Sequence, residues 1–391
     1  MRLNWRGYLF TAWIAAAFTA GMIYPQGFLR WGNFDLRNKW VILVVVQLVM
    51  FGMGTQMGLK DFAGVAKAPA GVLVGILCHF SVMPLVGVGL TKIFSFPDEI
   101  AAGIILIGSC SSGLASNVMA YLARSNLVLS VTVTAITTMI APIMTPLLMK
   151  WLAGKLVEVK FLAMMLEILK IVIVPIGAAL LHDYLKQATP RGRRAVLIVN
   201  CFGVLWLAAL ACGGWTLAKT HLTGTGAAAF SIAGFLFAAV IAGTAYHWLT
   251  RRLHWLERKT PMISMAGIVY FTTVTTAAGR ENLLKVGALL FVASVLHNAA
   301  GYGFGYWLSR ACGLDKNSAR SVAFEVGLQN GGMASGIAGS LGKLGTMGLA
   351  AAIFSPWMNI SGSVLANYWR ERPAGEETSN SKPQTSRKVQ P

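Results

Sequence analysis

Glu325 is the residue whose type and setting most demand an explanation. It opens Glu325-Val-Gly-Leu-Gln-Asn330, inside an otherwise apolar run. An acidic side chain at the centre of a membrane-crossing helix costs about 2.5–3.5 kcal/mol on insertion scales, so its default reading is functional. Gln329 and Asn330 stand beside it, and Gly327, Gly331 and Gly332 would let the backbone unwind there. Unwound backbone frees carbonyls, and carbonyls with one carboxylate make a hard oxygen site suited to an alkali cation. The competing reading is a glutamate near the cytoplasmic helix end that caps or snorkels, since Arg320 lies only five residues earlier.

A second polar stretch, Ser109-Cys-Ser-Ser-Gly-Leu-Ala-Ser-Asn117, interrupts another apolar run far upstream. Both stretches carry Gly-[Leu/Met]-Ala-Ser, as Gly113 to Ser116 and Gly332 to Ser335. Ser130 and Thr134 follow at i and i+4, hence on one helical face. With Ser116 and Asn117 they offer hydroxyl and amide oxygens, which coordinate Na⁺ without adding charge. Helix packing is the alternative for Ser130 and Thr134, because hydroxyl residues are enriched at membrane helix interfaces. Paired interruptions in two halves of a chain point to a transporter's binding site near the bilayer midplane.

The elements that must hold these residues follow from composition. The chain is 55% hydrophobic and 12% charged, which excludes an ordinary soluble domain. A spanning helix needs about 20 mainly apolar residues. Candidates fall at 8–24, 40–58, 70–93, 99–123, 127–151, 161–184, 195–218, 226–249, 261–279, 286–309, 318–343 and 345–369. Twelve spans put both termini on one side, and Lys and Arg favour a cytoplasmic placement of both by roughly two to one. The net charge of +19 invites a nucleic-acid role, but it sits in short inside loops, so no nucleic-acid partner is expected. The run from Tyr8 to Tyr24 reads as a spanning helix and not a cleaved signal. The stretch 370–391 is polar and expected to be a disordered cytoplasmic tail.

Other polar residues carry less chemistry. Glu167 and Lys170, three apart, are expected to pair on one helix face. His79 reads either as a hydrogen-bonded core histidine or as a proton carrier. His297 and Asn298 fit interhelical hydrogen bonding. The five cysteines lack metal-ligand spacing and read as packing residues. There is no Walker A loop, His-Glu-x-x-His pattern or convincing nucleophile triad, so an enzyme is not expected.

Gly108-Ser-Cys-Ser-Ser-Gly-Leu-Ala-Ser-Asn-Val-Met-Ala-Tyr-Leu-Ala-Arg124, the segment from Asn126 to Thr134, Glu325 to Asn330, and Trp357-Met-Asn-Ile-Ser-Gly-Ser363 resemble the bile acid:sodium symporter family. The likeness runs from about Trp40 to Trp369. It implies an all-α polytopic membrane protein with two inverted repeats, panel and core domains, and two discontinuous crossing helices. It also implies Na⁺-coupled uptake of an organic anion by alternating access, in a bacterial inner membrane. A first sodium site would use Ser116, Asn117, Ser130, Thr134 and Glu325. A second would use the Glu325 carboxylate, the backbone of Val326 and Leu328, and Gln329. Bacterial members often complete that second site with a Gln at the position of His79, so this chain couples to one or two ions. Asn330 and Asn359 are the substrate residues implied, with Leu114 and Met358 beside them; some members carry His at the position of Met358. The family has ten spans, so the pair 195–218 and 226–249 reads as an inserted hairpin within a second repeat at 161–369, the first being 8–151. A proton-coupled or efflux organic-anion carrier and a non-transporting sensor are the alternatives. The oligomeric state has no signature in the sequence.

Overall fold

The computed structural model describes residues 5–374 apart from 64, 66, 67 and 223. Most of the expected tail therefore lies outside the described residues, as do Arg2 and Lys67. The first helix, α1 (Trp5–Ile23), leads into a short helix and a two-stranded turn pairing Arg30 with Asp35 and Trp31 with Phe34. The Arg37 guanidinium donates to Asp35 and holds its carboxyl at about 2. Asn38 then caps α2 (Lys39–Gly54), its side chain accepting from the Trp40 N–H at 2.9 Å.

The long helices come next: α3 (Pro69–Phe94), the half-helices α4 (Asp98–Ser109) and α5 (Leu114–Leu122), and α6 (Leu127–Ala153). They are followed by α7 (Phe161–Gln187), α8 (Pro190–Gly214), α9 (Gly226–Arg252), α10 (His254–Ala278) and α11 (Arg280–Ala311). The half-helices α12 (Lys316–Gly327) and α13 (Gly331–Ser340), then α14 (Gly348–Arg370), complete the chain. Among the described residues, 8 helices are long and apolar enough to cross a membrane. The four other expected stretches fall on other elements. Two are α1 and α2; the stretches at 99–123 and 318–343 are the broken pairs α4/α5 and α12/α13.

Packing divides the helices into two groups. In one, α2 lies against α7 and α10, and α1 against α10. In the other, α3, α6 and α11 surround the broken helices, and α14 packs on α4, α11 and α13. The groups meet where α13 lies on α2 and where the first turns of α7 lie on α6. The pair α8 and α9 stands apart. Helix α9 packs on α7, and α8 packs on α9. Only 6% of the apolar window of α8 is buried, against 56% for α3, so its Leu197, Phe202 and Leu205 face outward as a lipid-facing surface would. A kink at Gly213, φ +105°, ends α8 in a conformation that favours glycine. Trp31, Trp40, Trp151 and Trp248, all near helix ends, are exposed in the manner of interfacial anchors.

Candidate functional site

Both breaks are short extended segments, and they pair with each other. Helix α4 stops at Ser109, and Cys110 adopts ψ 169°. Helix α12 stops at Gly327, and Leu328 is extended at φ −107°, ψ 104°. Ser112 and Gln329 then form an antiparallel bridge. The Gly113 N–H donates to the Leu328 carbonyl at 3.1 Å, and the Asn330 N–H donates to the Ser111 carbonyl at 2.9 Å. Buried backbone groups freed by each break are thus satisfied by the other, as a membrane interior requires. The approach is close enough to dictate residue type: a Cβ at Gly113 would lie 2.7 Å from the Gln329 carbonyl oxygen.

Glu325 lies two residues before the end of α12 and is fully buried. Its carboxylate faces α5 and α6. Ser130 donates to Oε1, and the Thr134 hydroxyl donates to Oε2 at 2.7 Å. The same hydroxyls lie 3.0 and 3.1 Å from Asn117 Oδ1. Ser116 Oγ is 3.2 Å from Thr134 Oγ1 and donates to the Gly113 carbonyl at 2.8 Å. All five residues expected at a first sodium site therefore converge on one point, though three helices carry them.

Proton counting gives this cluster its chemistry. The Ser130 and Thr134 hydroxyls supply two hydrogens, one each, to three acceptors: Glu325 Oε1, Glu325 Oε2 and Asn117 Oδ1. With the carboxylate ionised, at least one lone pair faces another oxygen. Oxygens gathered in excess of their hydrogens suit a hard cation.

The residues expected at a second site are placed differently. The Val326 carbonyl accepts from Gln329 Nε2 at 2.7 Å, while Gln329 Oε1 is buried without a hydrogen-bond partner. The Leu328 carbonyl is taken up by Gly113 and by the Ser112 hydroxyl at 3.2 Å. His79 reaches Glu325 through the main chain: Nδ1 is 2.9 Å from the Glu325 carbonyl oxygen, and Nε2 is 2.8 Å from that of Cys110. None of these groups shares the carboxylate with the first set.

The substrate candidates are dispersed. Asn330 caps α13 by accepting from the Met333 N–H at 3.0 Å, and its Nδ2 faces α2, 3.5 Å from Met53 Sδ. Leu114 opens α5 and is half-buried. Asn359 donates within its own helix to Ser355, and the buried Met358 offers its carbonyl to Tyr302 at 3.3 Å. The structure thus brings Asn330 and Leu114 to the breaks and leaves Met358 and Asn359 on α14.

Residues beyond the expected set also brace the site. Asn298 donates to the Gly327 carbonyl at 2.8 Å and accepts from Ser361 at 2.6 Å, and His297 Nε2 lies 2.8 Å from the Met83 carbonyl oxygen. Ser112 links Ser116 to the opposite break. Its only sequence signal is its place in the Ser-Cys-Ser-Ser-Gly run.

Comparison with known proteins agrees with this arrangement. Residues 43–216 match the model of the sodium bile acid symporter family. The chain is 31% identical over 382 residues to the uncharacterized sodium-dependent transporter YocS of Bacillus subtilis, spanning 96% of this chain and 97% of that protein. It is 29% identical over 362 residues to the probable sodium/metabolite cotransporter BASS1, chloroplastic, of Arabidopsis thaliana, spanning 92% and 73%. It is 26% identical over 296 residues to the ileal sodium/bile acid cotransporter of Homo sapiens, spanning 74% and 66%. These relatives are transporters and not enzymes. An all-α chain with two broken helices crossing at a buried glutamate, similar over nearly its whole length to a sodium-dependent transporter, belongs to the sodium bile acid symporter family.

Proposed function

We propose that this protein is a Na⁺-coupled symporter of a small organic anion, working by alternating access in a bacterial inner membrane with both termini cytoplasmic. The observation that carries the reading is the Glu325 cluster, where the Ser130 and Thr134 hydroxyls have two hydrogens for three oxygen acceptors, the two of the Glu325 carboxylate and Asn117 Oδ1, with Ser116 beside them. Na⁺ is a transported partner there. Its binding would fix α5 and α12 against α6 and so hold the crossing in its binding shape.

The division into a panel (α1, α2, α7 and α10) and a core built on the broken helices is supported by the packing groups. The inverted repeat would relate 8–151 to 161–369. The inserted hairpin, 195–249, is supported by the peripheral place of α8 and α9, although the family match itself continues to residue 216. The substrate carboxylate would sit by Asn330 at the α13 N-terminus, where the helix dipole favours an anion. Asn359, Met358 and Leu114 would shape its surroundings from α14 and α5. Since His79 holds the Glu325 carbonyl and Val326 and Leu328 are bonded elsewhere, the geometry favours one sodium over two. His79 also reaches the main chain of Glu325 and not its carboxylate, which gives proton exchange between the two no direct relay.

The deciding experiment is uptake of pyruvate, pantoate and taurocholate into proteoliposomes under an inward Na⁺ gradient. Na⁺-dependent accumulation of one of them is expected. Binding without accumulation would identify a sensor, and accumulation that tracks pH without Na⁺ would identify a proton-coupled carrier.

A further inference from the structure

Lys170 lies in a π turn of α7, Leu169–Ile173, where the Val174 N–H reaches back five residues to the Leu169 carbonyl. The next bond in that register would run from residue 175 to the Lys170 carbonyl, but Pro175 has no N–H to give. Gln47 of α2 supplies the missing donor, its Nε2 donating to the Lys170 carbonyl at 3.1 Å. A π turn in a helix frequently marks a functional position, and here a neighbouring helix stabilises it.

The Lys170 ammonium lies 2.8 and 2.7 Å from the two oxygens of Glu167, and among the described residues it has no other partner. Such a partly exposed pair contributes little to stability. It leaves further N–H donors of the ammonium free for an incoming group. Both side chains border a cavity of about 10 Å³, closed by Lys39 and Val46 on the α2 side and by Gly336 and Ser340 on α13. This is the seam between the two helix groups. The same seam reaches Asn330 at the other end of α13, about 15 Å away at 1.5 Å per residue. Small residues, Gly336 and Ser340, line one wall of the seam; Lys39, Lys170 and Glu167 stand among apolar residues on the other.

We propose that Lys170 is the anion-recognising group of this seam: when the groups part, its ammonium exchanges Glu167 for the carboxylate or sulfonate of an organic anion moving toward Asn330. The inference rests on the anion-transport reading above and deepens it. Glu167 neutralises the lysine while the seam is shut, and the π turn sets where the ammonium stands.

Charge-selective labelling tests this without requiring transport. Ser340→Cys is placed in a protein whose exposed Cys201, Cys212 and Cys312 are serine, leaving Cys78 and Cys110 buried. Its reaction rate is measured in proteoliposomes with anionic sulfonatoethyl methanethiosulfonate and with the cationic trimethylammonium analogue. The anionic reagent is expected to be favoured. Lys170→Gln should lower the anionic-to-cationic rate ratio by roughly tenfold, the scale of one unit charge about 10 Å away at an effective dielectric constant of about 50, counted for both reagents. Glu167→Gln should raise the ratio, and Lys170→Arg should preserve it. An ion pair that only holds the fold would leave the protection of Ser340→Cys by taurocholate against the anionic reagent the same in Lys170→Gln as in the parent. That result, or no reaction with either reagent, overturns the proposal. Neither reagent depends on sodium, so the outcome is separable from a failure of Na⁺-driven uptake.

Discussion

His79 Nδ1 stands 2.9 Å from the main-chain carbonyl oxygen of Glu325, and the same ring reaches the carbonyl of Cys110 with its other nitrogen. One side chain of α3 thus bridges the two breaks. It positions the backbone that carries the carboxylate without touching the carboxylate itself.

Replacing that bridge changes the coupling. His79→Gln presents an amide oxygen where the ring presents nitrogen, and oxygen is the better ligand for a hard cation. Sodium affinity is expected to rise. If a second ion then binds, uptake of a monoanion carries one net charge, worth about 2.3 kcal/mol per 100 mV of membrane potential. Current after a sodium jump on a supported membrane measures this directly. A silent variant with unchanged sodium affinity would make the ring a brace and nothing more.

Glu325→Gln keeps the shape and removes the charge. Sodium-stimulated uptake should fall to the sodium-free level, while the melting temperature without sodium stays near that of the parent. Normal sodium dependence in this variant would remove Glu325 from the cation site.

Ser130→Ala and Thr134→Val each delete one hydroxyl from the cluster. Hydrogen bonds to a charged group are worth about 1.5–3 kcal/mol, so each change should raise the half-saturating sodium concentration by tenfold or more. The double variant should fall short of the sum, because both hydroxyls serve the same carboxylate and the same Asn117 oxygen. Additive effects in sodium titrations would mean that the two act at separate places.

Gly113→Ala introduces a Cβ 2.7 Å from the Gln329 carbonyl oxygen, backbone that has little freedom to yield. A loss of about 1–3 kcal/mol is expected from such overpacking, seen as a lower melting temperature with uptake abolished. Gly303→Ala is the control, since a Cβ there meets nothing within 4 Å. Equal behaviour of the two variants would mean that the close approach of the breaks is not required.

The breaks themselves were legible in the sequence because glycine, serine and amide residues stand out against an apolar background, and Ser130 and Thr134 announce a shared face by spacing alone. Their convergence with Asn117 and Glu325 needed the resemblance to a family, since no local pattern links α5 to α12. The span count was less legible: α2, Lys39–Gly54, has only 16 residues, and two other expected spans are each broken in the middle. The roles of His79 and Gln47 lay furthest from what their residue types reveal. Each acts on the backbone of a residue remote in sequence, a role that side-chain type does not reveal. The core-histidine reading of His79 named the kind of bond it makes but not the two carbonyls it joins.

The main-chain stitching of Gly113 to Leu328 and of Asn330 to Ser111 constrains how the protein is made as well as how it works. A chain that has emerged only as far as α6 holds a break whose backbone partners are still unsynthesised. Its exposed amides and carbonyls cannot rest in lipid. The first half must therefore wait, with water or assembly factors covering that break, until α12 arrives to close it. Truncation between the two halves should accordingly leave a membrane-inserted but unfinished fragment, prone to quality control.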